Sequence, residues 1–228
     1  MYLQGTNKRG KEKKMLVQKT LTRNPKAELY YDLVELFSGF LLVGFLWTHM
    51  LFVSTILLGS ELFNNLSEGL DKYYLSYVGI PFIILVAFMH IFTAGRRVPT
   101  RYQEQKIIWR HAKMLKGTDT WVWVFQVITG VSIFMLGAIH VWVVVSGWPI
   151  QAMTSAERMH AFWWFYIILL ILGEYHAGFG IYRQFVKWGW FPRKPIGYIT
   201  KLITVIILAL GIAALSSFYA LAKGGGIV

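Results

Sequence analysis

Five long apolar runs, at residues 33–58, 77–95, 121–145, 162–182 and 199–221, are separated by shorter stretches that hold nearly all the charge. Each run reaches or approaches the ~20 residues that cross ~30 Å of hydrocarbon at 1.5 Å per residue. The pattern therefore predicts five transmembrane helices. Pro81 is placed in the first turn of the second one, where its missing N–H does no harm. No Ser- or Gly-rich linker and no internal repeat divides the chain. The expected architecture is an all-α membrane bundle over 31–222, preceded by a basic arm at 1–30 and followed by a tail at 223–228.

Composition agrees with this class. The 228 residues are 56% hydrophobic and 17% aromatic, with a mean hydropathy of +0.49, well beyond what a soluble domain of this length shows. A net charge of +12 raises the question of nucleic acid, but the charges cluster between uncharged runs, so no nucleic-acid partner is expected and a lipid bilayer is. Twenty of the 23 basic residues lie in the N-terminal arm, in the loop from Arg96 to Lys116, or between Arg183 and Lys201. Lys72, Arg158 and Lys223 fall on the other side. This asymmetry predicts a cytoplasmic N-terminus and an outer C-terminus. Trp121, Trp123, Trp148, Trp188 and Trp190 suit the interfacial belts. The basic start is too long for a signal peptide and runs into a full-length span. The chain contains no cysteine, which excludes disulfides, iron–sulfur ligation by this chain and a CxxCH haem attachment. Neither GxGxxG nor GxxxxGK[ST] occurs, so no dinucleotide or NTP site is expected.

The candidate chemistry is carried by histidine. His111 lies in the basic loop and His160 at the outer mouth of the fourth span, and both read as solvated or interfacial. The other four, His49, His90, His140 and His176, fall one in each of the first four spans. Ionisable groups inside spans are costly and mark function. His49 and His140 both fall in the outer half, His90 and His176 in the inner half. Two imidazoles at matched depth on different helices can hold one metal from opposite sides, as iron in a porphyrin is held within a bundle. Zinc would ask for a tight cluster of four ligands. Gly173 and Gly180, at −3 and +4 from His176, share its helix face and are expected to leave a flat strip beside the ring. Ala87 and Ala94 repeat those offsets around His90, and Gly137 precedes His140 by three. Such small residues also serve ordinary helix packing in membranes. Glu174, two residues from His176, points about 200° away from the ligand face. It is read either as a proton carrier or as a carboxyl hydrogen-bonded to a neighbour, beside a macrocycle edge or against another helix. A haem-free His-bearing transporter is a further reading, though no inverted repeat or broken helix supports it.

These spans and histidines, with the segment from His49 to Gly59 (HMLFVSTILLG), the Gly117-Thr118-Asp119-Thr120 turn, Glu174-Tyr175-His176, Tyr182-Arg183 and Lys187-Trp188-Gly189-Trp190-Phe191, resemble the cytochrome b subunit of dihaem quinol:fumarate reductases and related succinate:quinone reductases. The resemblance covers roughly residues 30–222. It implies a five-helix anchor in a bacterial inner membrane that carries a flavoprotein and an iron–sulfur subunit on its cytoplasmic face. It also implies two b haems, an outer one on His49 and His140 and an inner one on His90 and His176, with Arg158 and Lys187 near propionates. Menaquinol would be oxidised near the outer side, and Glu174 would serve compensatory proton transfer. The family's quinol-site glutamate has no clean counterpart. Ungapped counting from His49 reaches Asp71, with Glu68 and Glu61 nearby, so Asp71 and Glu68 stand as quinol-site candidates. Pairing of two complexes as a dimer stays open. So do a succinate dehydrogenase anchor working in the opposite direction, and the cytochrome b of a hydrogenase or formate dehydrogenase.

Overall fold

Asn24 starts the first helix. Its side-chain oxygen accepts from the backbone N–H of Lys26 at 3.1 Å and of Ala27 at 3.5 Å, and Pro25 follows at the first helical position, where a missing donor is harmless. The computed structural model describes residues 24–115 and 118–224. Arm residues 1–23, Lys116 and Gly117 of the expected turn, and tail residues 225–228 lie outside the described residues. Among the described residues all regular structure is helical. The elements are α1 (Pro25–Ser54, continued by a 3₁₀ segment Thr55–Leu58), α2 (Ser60–Lys72), α3 (Leu75–Gly95), α4 (Tyr102–Leu115), α5 (Thr118–Ser146), α6 (Ala152–Ala161), α7 (Trp163–Lys187) and α8 (Arg193–Ala222).

The helices α1, α3, α5, α7 and α8 are each long and apolar enough to cross a membrane, and they correspond to the five expected runs. Three of them extend well into polar sequence that the apolar runs leave out: α1 begins at Pro25, α7 ends at Lys187 and α8 begins at Arg193. Hydropathy marks where hydrocarbon ends, whereas a helix goes on until a cap or turn stops it. Pro81 is a correction. The helix begins at Leu75, so Pro81 lies past the first turn and removes the bond its N–H would give to Tyr77. The shorter helices α2, α4 and α6 were not anticipated from the apolar runs, because they are amphipathic surface helices joining the spans.

Packing is uneven around the bundle. α8 lies closely along α7 and α6, and α3 lies on α1. The α7–α8 contact depends on glycines. A Cβ on Gly178 would run into the Thr204 hydroxyl, and one on Gly211 would come within 2.7 Å of Leu170 and 2.8 Å of Met50, the close approach that small residues allow between membrane helices. At the far end, Ile56, Phe63, Ala152, Ala156, Met159, Ala214 and Phe218 form a buried apolar cluster. α2 is clipped to it by Ser67 Oγ donating to the Ile150 carbonyl at 2.8 Å and by Asn64 accepting from Ala152 N at 2.8 Å. By contrast α3 and α5 barely touch among the described residues, each leaning on its own neighbour, α1 or α7.

The basic end is tied together by acids on one face of α1. Glu28 pairs with Arg96 at 2.9 Å, Asp32 with Arg97 and with Lys187 at 2.9 Å, and Glu35 with Arg97 at 3.2 Å. The spacing of these acids keeps them on one side of the helix. Partly exposed pairs contribute about 0–1 kcal/mol each, so their main effect is to set how α1, α3 and α7 meet at this end.

Candidate functional site

The four intramembrane histidines meet as two pairs. The His49 ring on α1 lies 6.1 Å from that of His140 on α5, and the His90 ring on α3 lies 6.4 Å from that of His176 on α7 (centroid to centroid). With a metal–nitrogen bond of about 2 Å and about 1.1 Å from ring nitrogen to ring centre, two imidazoles on opposite sides of one ion place their centroids about 6 Å apart. Both pairs have that spacing. Along α1, Ser38, which contacts His90, precedes His49 by eleven residues. Along α7, Tyr166, 5.9 Å from the His140 ring, precedes His176 by ten. At 1.5 Å per residue the pairs are therefore about 15 Å apart along the bundle. Among the described residues no three His, Asp or Glu converge as a metal cluster. The donor sets on offer are thus two imidazoles each, which suits an ion that a planar macrocycle already surrounds, and the poor contact between α3 and α5 suits a wide group in the bundle interior.

The basic-end pair is held in a defined protonation pattern. Ser38 Oγ donates to the Val34 carbonyl at 2.6 Å and lies 3.1 Å from His90 Nδ1. With its one proton committed to backbone carbonyls, it is placed to accept from Nδ1–H, beside the Glu35 backbone that also bonds His90. Thr129 Oγ1 does the same, donating to the Phe125 carbonyl at 2.7 Å and lying 3.1 Å from His176 Nδ1. Each ring therefore carries its proton on Nδ1 and leaves the Nε2 lone pair for coordination. Gln126 Nε2 adds a bond to the His176 carbonyl at 3.0 Å. At the far pair no such partner appears among the described residues, and His140 Nδ1 is buried without a hydrogen bond there.

The glycine strip is only partly where it was expected. A Cβ on Gly173 would meet nothing within 4 Å, so that position is open. One on Gly180 would touch Gln126 Nε2 at 3.4 Å, which makes it a packing contact with α5. The glycines that receive the rings come from facing helices: a Cβ on Gly39 would lie 3.4 Å from His90 Cε1, and one on Gly130 would lie 3.1 Å from His176 Cε1. Helix periodicity says which residues share a face, and not what that face meets. A hydroxyl residue followed by glycine in mid-span, Ser38-Gly39 and Thr129-Gly130, was the available signal.

Glu174 is 1% exposed and faces neighbouring helices. Its Oε2 accepts from Trp47 Nε1 of α1 at 3.3 Å, Thr204 of α8 lies beside it, and its Oε1 is buried without a hydrogen bond. Lys187 is engaged with Asp32 at 2.9 Å. Arg158 reaches back over the end of α5, donating to the Gly147 carbonyl at 3.1 Å. Glu68 is exposed on α2, while Asp71 is half-buried with Oδ1 shut from solvent and unpartnered. His111 is exposed on α4, and His160 is exposed with its ring 4.9 Å from that of Tyr219.

Residues 102–215 match the family model described as succinate dehydrogenase/fumarate reductase transmembrane subunit. A fumarate reductase cytochrome b subunit of Wolinella succinogenes is 31% identical over 215 residues, covering 88% of this chain and 82% of the relative. Counterparts of the same description in two strains of Helicobacter pylori are each 30% identical over 201 residues, covering 82% of this chain and 79% of theirs.

Proposed function

The chain belongs to the succinate dehydrogenase/fumarate reductase transmembrane subunits, as the cytochrome b anchor of a quinol:fumarate reductase, and from that premise we propose that it oxidises menaquinol and relays the electrons to a fumarate-reducing flavoprotein and iron–sulfur module. It is a multi-pass membrane protein. The observation that carries the reading is the pair of imidazole pairs, each at the spacing of a doubly ligated iron. His49 and His140 would hold one b haem in the outer half, and His90 and His176 a second in the inner half. When bound, the haems supply one-electron carriers across the bilayer.

The chain's own residues do the rest. Ser38 and Thr129 keep Nε2 of the inner imidazoles unprotonated. Arg158 and Lys187 place cations at opposite ends of the bundle, suited to propionates, with Lys187 shared with Asp32. Asp71 is the better placed of the two quinol-site candidates, since its enclosed, unpartnered oxygen can accept a quinol hydroxyl proton while Glu68 faces solvent. The membrane of this reading is a bacterial inner membrane, with the N-terminus on its cytoplasmic side and the C-terminus outside, an orientation the bias of basic residues supports.

Co-purification of the tagged chain tests this directly. The expected result is a flavoprotein and an iron–sulfur protein in the preparation, a b-type band in the reduced-minus-oxidised spectrum, and two haems per chain. Absence of the band would end the haem reading, and a hydrogenase or formate dehydrogenase partner would redirect it.

The basic face is the proposed docking surface for those subunits. The segments 1–26 and 96–116 supply 15 of the 23 basic residues, and opposite charge across such a face acts mainly on association rate and register. Deleting residues 1–20 is expected to loosen the partners in a salt-sensitive way, measured as their retention on the tagged chain at rising ionic strength. Salt-independent, full retention would leave the arm with topology and anionic lipid alone.

A further inference from the structure

The two imidazole pairs differ in what stands behind them. Each basic-end ring is backed by a hydroxyl that has given its own proton to a carbonyl one turn earlier: Ser38 to Val34 and Thr129 to Phe125. Each hydroxyl lies 3.1 Å from an Nδ1 and each is at least 95% buried, so water does not compete for the bond. The next residue is a glycine whose missing side chain admits the ring edge, Gly39 for His90 and Gly130 for His176. The same device thus occurs twice, on two different helices, once behind each ring of the His90–His176 pair. At the other pair His140 Nδ1 is buried with no partner.

A ligating imidazole that donates its second N–H to an acceptor is a stronger electron donor to its metal, and stronger donation favours the higher oxidation state. We infer that Ser38 and Thr129 are positioning residues that lock the tautomers of His90 and His176 and lower the reduction potential of the haem these hold, leaving the haem at His49 and His140 without that assistance. This rests on the ligation proposed above. Gly130 is part of the device, since a methyl there would lie 3.1 Å from His176 Cε1 and press on the ring, whereas one on Gly39 would make ordinary contact with His90 at 3.4 Å.

Redox titration of the whole purified complex, followed at the haem α-band and resolved into two one-electron components, tests the inference. Ser38→Ala and Thr129→Val are each expected to raise the midpoint of one component. The reduced-to-oxidised ratio at fixed potential should rise about threefold or more, where tenfold corresponds to 59 mV for one electron. Both variants must move the same component, because both hydroxyls serve one iron. Ser38→Thr and Thr129→Ser, which keep the hydroxyl, should stay near the parent value. The inference is overturned if neither component moves, if the two variants move different components, or if the hydroxyl-retaining variants shift as far as the others. Should Ser38→Ala lose a haem outright, Ser38→Thr decides: retention of that haem at the parent potential supports the hydroxyl's role, and its loss reduces position 38 to a matter of volume. Failure of the ligation reading looks different, because His90→Ala would then leave the haem count unchanged whatever Ser38 does.

Discussion

Replacing His90 or His176 with alanine is expected to take the haem content from two per chain to one, and to lower the yield of assembled complex. The two rings, on α3 and α7, lie 6.4 Å apart between centroids. Losing either would leave the iron proposed there with one protein ligand and remove one of the few links across the bundle, since α3 reaches the other spans chiefly through α1. The loss is also one of packing: a macrocycle that fills the interior replaces helix–helix contact, and without it the lining side chains lose their partners. His49→Ala and His140→Ala should each remove the other haem. His111→Ala and His160→Ala should change nothing, both side chains being exposed. Pyridine haemochrome content per chain, measured on each variant, decides the matter. A His90 and a His176 variant that lost different haems, or a parent complex with one haem, would break the pairing.

The spans were legible because hydrocarbon imposes a length and a composition on any helix that crosses it, and the histidine pairs because depth along a span is a matter of counting. What surrounds a histidine is different. Ser38 and Thr129 are unremarkable hydroxyls in apolar sequence, and only the crossing of α1 with α3 and of α5 with α7 brings them to an imidazole. Of the two glycines flanking His176, Gly173 is open and Gly180 packs on Gln126, while room for the rings themselves comes from Gly39 and Gly130 across the interface. The pairing of Glu28, Asp32 and Glu35 is hidden in sequence because their partners Arg96, Arg97 and Lys187 lie at the ends of other spans. Their spacing on one face of α1 could have shown that some of the charge at this end is spent on holding spans together.

Glu174→Gln is expected to leave both haems and fumarate reduction from artificial donors intact, and to cut turnover driven by menaquinol analogues about tenfold or more. Glu174 lies between the levels of the two histidine pairs, after Tyr166 and before His176 on α7, and faces Trp47, which lies between Ser38 and His49 on α1. It is 1% exposed, and an ionisable group so placed is held at a cost that calls for a function. Trp47 Nε1 donates to Oε2 at 3.3 Å and the Thr204 hydroxyl also bonds the carboxyl, while Oε1 is buried without a partner of its own. That second oxygen is where a proton can be taken up and given away. If electrons cross between the two histidine pairs as proposed above, a proton travelling the same way through a site between their levels would offset the charge. Glutamine keeps the volume and, with its carbonyl toward Trp47, keeps that bond, so the fold and the imidazole pairs should persist. It cannot release a proton. Activity with a donor that feeds the soluble subunits directly bypasses the membrane step and serves as the control. A drop confined to quinol-driven turnover assigns proton transfer to Glu174, whereas full quinol-driven turnover in the variant would make its hydrogen bond to Trp47 a packing feature of α1 and α7.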